Sequence, residues 1–349
     1  MIPIEYDNSK LIEYEKFINM FIERTNSILT KGYIGKRKKI TKKEAGRLYK
    51  KLSLEQRKIV KGLRSGGEFV LHPMYILDSD SKAFFQEVVT NLKKWCKYKP
   101  QEIKELCQDL IDRYEAFNNF ESVLYVNTYY LFVQCGFNSG SFPKGELIDA
   151  SNADVCPYCN RIYIKNVTGK DEIQIKGQLD HFLNKDTYPF LAILKYNLIP
   201  SCPYCNGPTG KHTKDAIREG LVSPFDLKSA DELLFKINIL SADITDITKC
   251  ADAMSLEIVC ENPNMENNKR IFHIQELYST HMDYAAEVYL KTRMIESSAY
   301  RLFVENLTKE SFPSDPTELI MGFNTTPERF NYRPISKFQT DIYKDIMKE

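Results

Sequence analysis

Residues 101–117 place Ile103, Leu106, Cys107, Leu110, Ile111, Tyr114 and Phe117 three and four positions apart, one apolar stripe along a helix. Residues 11–29 carry the same spacing, and 122–137 are aromatic and apolar enough for a buried helix. Such stripes are read as core faces, not as cofactor boxes. Gly136, Gly140, Pro143 and Gly145 then punctuate the chain and predict a domain boundary near residue 150. Beyond it the period shortens. β-Branched runs at 161–167 and 173–179 flank a Gly169-Lys170-Asp171 turn and predict two short strands. The segments LFKINIL and SLEIVCEN predict two more. Residues 272–296 predict one long amphipathic helix, with Ile274, Leu277, Tyr278, Met282, Ala285, Val288 and Tyr289 on one side, and a last helix falls near 335–347. The pattern is α+β: a mainly helical region over 1–150, a small module over 151–215 and a mixed strand-plus-helix region over 216–349.

Composition changes this picture little. The chain has 349 residues, 43% hydrophobic and 27% charged, as soluble globular proteins do, and a formal net charge of +1. Bulk charge therefore does not announce a nucleic-acid binder, although a local basic face would serve. Residues 31–51, KGYIGKRKKITKKEAGRLYKK, offer one with Glu44 as the single acid, and Lys93, Lys94, Lys97 and Lys99 extend it. A solvated helix face is the equal alternative. Neither a signal-peptide h-region nor an apolar run long enough for a membrane span is present. No GxxxxGK[ST] motif occurs, which argues against an NTPase. Nine cysteines, an odd number and mostly scattered, do not make a disulfide framework. Reduced thiols fit better and imply a reducing, cytoplasmic setting.

Four of those cysteines are not scattered. The pentapeptide CPYCN occurs at 156–160 and again at 202–206. Thiolates suit zinc, a borderline-soft ion content with tetrahedral geometry. Cys156, Cys159, Cys202 and Cys205 would fill its shell, leaving a structural site with no position for substrate. A redox Cys-x-x-Cys needs one pair, not two. The 42 residues between the pairs exceed a zinc-ribbon loop, so something folded must be inserted there.

The insert reads QLDHFLNKDTYPFLA and YNLIPSC, and with CPYC and CPYCNGPTGK it resembles an HNH endonuclease of the ββα-metal fold over about 65 residues. The flank Phe272 to Tyr278, with His281 and Asp283, resembles neighbouring sequence in such bacterial proteins more loosely. The resemblance implies metal-dependent hydrolysis of DNA or RNA phosphodiesters. His181 would be the general base, a role its near-neutral proton affinity suits. Asp180, pointing the other way on the strand, would hold a catalytic Mg²⁺ or Mn²⁺ with Asn206. Asn197 would bond loop backbone and orient His181. Lys211, Lys185 and His212 would meet nucleic acid, and His212 is an alternative to Asn206 as metal ligand. The resemblance implies histidine as the commoner residue at the position of Asn206, with asparagine also found there. Each residue also has a plainer reading: a turn cap for Asp180, a core histidine for His181, a turn residue for Asn197 and a helix cap for Asn206. Similar proteins work beside a separate ATPase in phage-defence loci such as Septu and some retron systems, and the flanking regions would be where such a subunit docks. The rival to cutting is a degenerate zinc-ribbon module that only binds nucleic acid or acts as a scaffold.

Overall fold

A computed structural model describes residues 1–34, 54, 64–65, 68–69, 75–168, 174–175, 177–241, 246–309, 321–323 and 325–348. Most of the basic stretch 31–51 lies outside the described residues. The fold is mixed α/β, with helices dominating and strands confined to small two-stranded sheets. It divides into two compact units, both discontinuous in sequence: Met1–Asn8 with Leu147–Asp180 and Ile199–Glu349, and Ser9–Glu146 with His181–Leu198.

The helical unit contains Ile12–Lys31, Ser79–Trp95 and Pro100–Arg113. The last two carry deliberate starts. Asp78 caps Ser79–Trp95 by accepting from the Ser81 amide at 2.8 Å, and Pro100 opens Pro100–Arg113 at a position that needs no amide donor. Phe84, Phe85, Val88, Leu92, Ile103, Leu110 and Phe132 are buried, the stripes meeting as a core rich in edge-on aromatic pairs. Residues 122–137 form an α-helix over Val123–Thr128 that widens into a π-helix over Tyr129–Phe137. Gly136 sits where the insert segment packs: a Cβ there would lie 3.0 Å from Ile193 Cγ2.

The other unit holds the cysteine knuckles. Its N-terminal segment is tied in by backbone bonds, Ile2 to Pro157, Ile4 to Pro224 and Asp7 to Ala150, which a reading of contiguous domains does not foresee. Of the strands expected at 161–167 and 173–179, the described residues show Val167–Thr168 paired with Gln174–Ile175, and Gln178 and Leu179 open the strand Gln178–His181. Leu233–Ile239 and Met254–Cys260 form a regular antiparallel ladder, Leu233 opposite Cys260 and Ile239 opposite Met254. The helix expected over 272–296 is broken into Ile274–Ser279 and Met282–Glu296. At the break the His281 side chain leaves the helix register and accepts a hydrogen bond from Arg161 Nε at 2.8 Å. A tertiary partner 120 residues away outweighs helix propensity there. The terminal helix spans Ser336–Ile346. No helix among the described residues is long and apolar enough to cross a membrane.

Candidate active site and metal centre

The two CPYCN turns meet. The Sγ atoms of Cys156, Cys159, Cys202 and Cys205 all lie within 4.8 Å of one another, and all four residues are buried. Cys159 Sγ and Cys202 Sγ are 3.8 Å apart. A tetrahedral shell with Zn–S bonds of about 2.3 Å puts its sulfurs about 3.8 Å apart, so the donor set and its spacing fit a zinc ion. In the absence of metal, hydrogen bonds from the neighbouring thiols pull the Cys202 thiol well below its ordinary pKa, while burial pushes Cys156 up.

The first knuckle is gripped from outside. Asn160, in the left-handed region at φ 52°, donates from Nδ2 to Phe330 O and accepts from the Lys337 amide through Oδ1. Tyr278 donates its hydroxyl to Cys159 O at 2.6 Å. The second knuckle turns sharply: a Cβ on Gly210 would stand 2.3 Å from Cys205 O, so the GPTGK turn has room for no larger residue.

The strand that carries the Asp-His pair, Gln178–His181, pairs with Leu198–Ser201, and the division between units falls between Asp180 and His181. Asp180 bonds within the knuckle unit. Its Oδ2 accepts from Tyr158 OH at 2.7 Å, and its Oδ1 meets Lys211 Nζ at 3.0 Å. Asp180 is 2% exposed and Lys211 0%. Burial, then the Asp180 charge, pushes the Tyr158 phenol well above its ordinary pKa, which keeps it a donor to the carboxylate. Tyr158 stacks on Phe272 at 4.2 Å and belongs to the first knuckle, so the thiolate cluster and the Asp180 carboxylate share one rigid support.

His181 bonds within the helical unit. Its Nε2 lies 3.0 Å from Ala192 O and its ring packs edge-on against Phe137 at 4.3 Å. A carbonyl only accepts, so this contact assigns the proton to Nε2 and leaves Nδ1 as the basic nitrogen. The side chain is 7% exposed. Asn197 ties the loop that carries this carbonyl. Its Oδ1 accepts from the Leu183 amide at 2.7 Å, and its Nδ2 donates to Leu183 O and Leu191 O at 3.0 and 3.2 Å.

Several residues lie elsewhere than their assigned roles require. Lys211, expected to meet phosphate at the surface, is fully buried against Asp180, because an unpaired carboxylate at that depth would cost more than ordering the lysine. Asn206 is partly exposed and donates to Gln178 Oε1 at 2.9 Å. A catalytic Mg²⁺ or Mn²⁺ at Asp180 and Asn206 does not fit this arrangement. Mg²⁺ keeps several waters, whereas the Asp180 oxygens are sealed behind Tyr158 and the Lys211 ammonium, itself a cation in the cation's place. Lys185 is half-exposed, and His212, at φ 44°, is exposed with Nδ1 3.2 Å from Thr213 Oγ1. Tyr158 and Asn160 are site residues that composition and spacing do not mark, although both lie inside the repeated pentapeptide CPYCN.

Comparison with known proteins gives a partial match. A stretch of 81 residues, 23% of this chain, is 38% identical to the Septu protein PtuB of Bacillus thuringiensis. The match spans 28% of that relative's length. No family model matches the chain, and no solved structure does.

Proposed function

We propose that this chain is an HNH-type endonuclease acting in anti-phage defence, hydrolysing phosphodiester bonds of DNA or RNA with His181 as general base. The observation that supports the chemistry best is the His181 Nε2 contact to Ala192 O, in a loop tied three times by Asn197. That contact puts the proton on Nε2, and Nδ1 would be the nitrogen that takes a proton from the attacking water. The partial likeness to a Septu protein supports the defence role. Four thiolates would hold a structural zinc that ties the two knuckles together. An ATPase partner, as in the loci that the HNH resemblance evokes, belongs to the same proposal.

A second reading has its own observation. The closed Tyr158–Asp180–Lys211 cluster favours a module that binds nucleic acid without cutting it. The deciding experiment incubates the zinc-loaded chain with supercoiled plasmid and with tRNA, in Mg²⁺ or Mn²⁺, beside His181→Ala and Asn197→Ala. Cleavage by wild type and its loss in both variants supports the nuclease. Intact plasmid and tRNA with every form, or cleavage that survives His181→Ala, refutes it.

A further inference from the structure

The helical unit holds a cavity of about 230 Å³ that the nuclease reading does not use. Tyr14 and Glu15 line it from the helix Ile12–Lys31, Lys93, Cys96 and Lys97 from the end of Ser79–Trp95 and just beyond, and Lys195 from the turn Lys195–Asn197. Three cations face one anion. Lys93 and Lys97 are exposed and one helical turn apart, but Lys195 is only 9% exposed, and a lysine that deep is uncommon. Burial lowers its pKa; Cys96 and Glu15 oppose that shift, and the charges of Lys99 and Lys97 add to it. A further cation crowds the same corner: Lys99 Nζ lies 4.4 Å and Lys195 Nζ 5.1 Å from the Tyr196 ring centroid. The remaining wall is electrically neutral. Burial pushes the Cys96 thiol up to about 12, and the Tyr14 hydroxyl donates to Ile193 O while accepting from the Lys195 amide.

We propose that the cavity lined by Lys93, Lys97 and Lys195 is a binding site for a phosphoryl dianion, a phosphomonoester or inorganic phosphate. A concave, low-dielectric site with an excess of one sign of charge concentrates ions of the other. Ammonium groups bind phosphate as point charges, and a dianion offsets the two-charge excess of three lysines over Glu15. Size narrows the ligand. Pockets for drug-sized molecules run from about 300 Å³ upward, so this one holds a phosphoryl group and its near substituents, not a whole nucleotide. The proposal does not rest on the nuclease reading.

Isothermal titration of the full chain tests it, with 5′-phosphorylated dithymidylate, its unphosphorylated counterpart and inorganic phosphate as probes. The phosphorylated probe is expected to bind at least about tenfold tighter than the unphosphorylated one. That preference is expected to vanish in the double variant Lys93→Gln/Lys97→Gln, whose surface positions leave folding intact, and in Lys195→Met. Inorganic phosphate binding as tightly as the dinucleotide supports the site with the free ion as its source; tighter dinucleotide binding supports a strand end. No binding of either phosphate probe, equal binding of the two dinucleotides, or unchanged binding by Lys93→Gln/Lys97→Gln overturns the proposal.

Discussion

Replacing Lys211 with methionine removes one charge from the buried Asp180 pair while keeping the length of the side chain. The two groups are 3.0 Å apart and 0% and 2% exposed. At an effective dielectric of about 20 their attraction is worth about 5–6 kcal/mol, which desolvation largely offsets in the intact pair. Removing one partner keeps the desolvation cost and loses the attraction, so Lys211→Met should destabilise the knuckle unit by about 3–5 kcal/mol. The hydrogen bond from Tyr158 at 2.7 Å, of the charged kind worth about 1.5–3 kcal/mol, remains and sets the lower end of that range. Asp180→Asn/Lys211→Met should lose less than the sum of the single variants, with a coupling of about 2 kcal/mol or more. The assay is urea unfolding of the zinc-loaded chain followed by far-ultraviolet circular dichroism, since Trp95, the single tryptophan, belongs to the helical unit. A cost under about 1 kcal/mol for Lys211→Met, with additive singles, would refute the pairing and reopen Asp180 as an accessible ligand.

Three further outcomes follow from named contacts. Asn197→Ala removes three buried hydrogen bonds and leaves the Leu183 amide without its acceptor, so the helical unit should lose about 2–4 kcal/mol in urea titrations followed by Trp95 fluorescence. Gly210→Ala drives a Cβ into Cys205 O and should loosen the second knuckle, read as zinc released to a chromogenic chelator at least tenfold faster than from wild type. Burial, with Arg161 beside it, lowers the His281 pKa, so the folded state binds fewer protons than the unfolded chain between that lowered value and 6.5. Stability is therefore lost as pH falls through 6.5, and His281→Gln should flatten that part of the stability–pH curve; an unchanged slope would contradict the assignment.

The cysteine cluster was legible because a repeated pentapeptide states both its ligands and their local turn. The helical stripes were legible because burial of a helix face imposes a period of 3.6 residues. Other features were hidden for physical reasons. Tyr158, Asp180 and Lys211 are 22 and 31 residues apart, and nothing in GPTGK distinguishes a buried lysine from a surface one. Residues 272–296 keep an unbroken amphipathic pattern across Thr280 and His281, yet the helix stops there because His281 is drawn to Arg161. Asp180 and His181 are neighbours in sequence, but alternating strand side chains give them separate partners, Tyr158 and Lys211 for one, Ala192 and Phe137 for the other. The division between the two compact units runs through the same strand, between Asp180 and His181.

Chemical rescue tests the role of His181 most directly. His181→Gly should abolish cleavage of plasmid or tRNA by the zinc-loaded chain, and added imidazole should restore it in a concentration-dependent way, rising with the neutral fraction of the base. Cleavage by His181→Gly at the wild-type rate without imidazole would contradict a general base at that position.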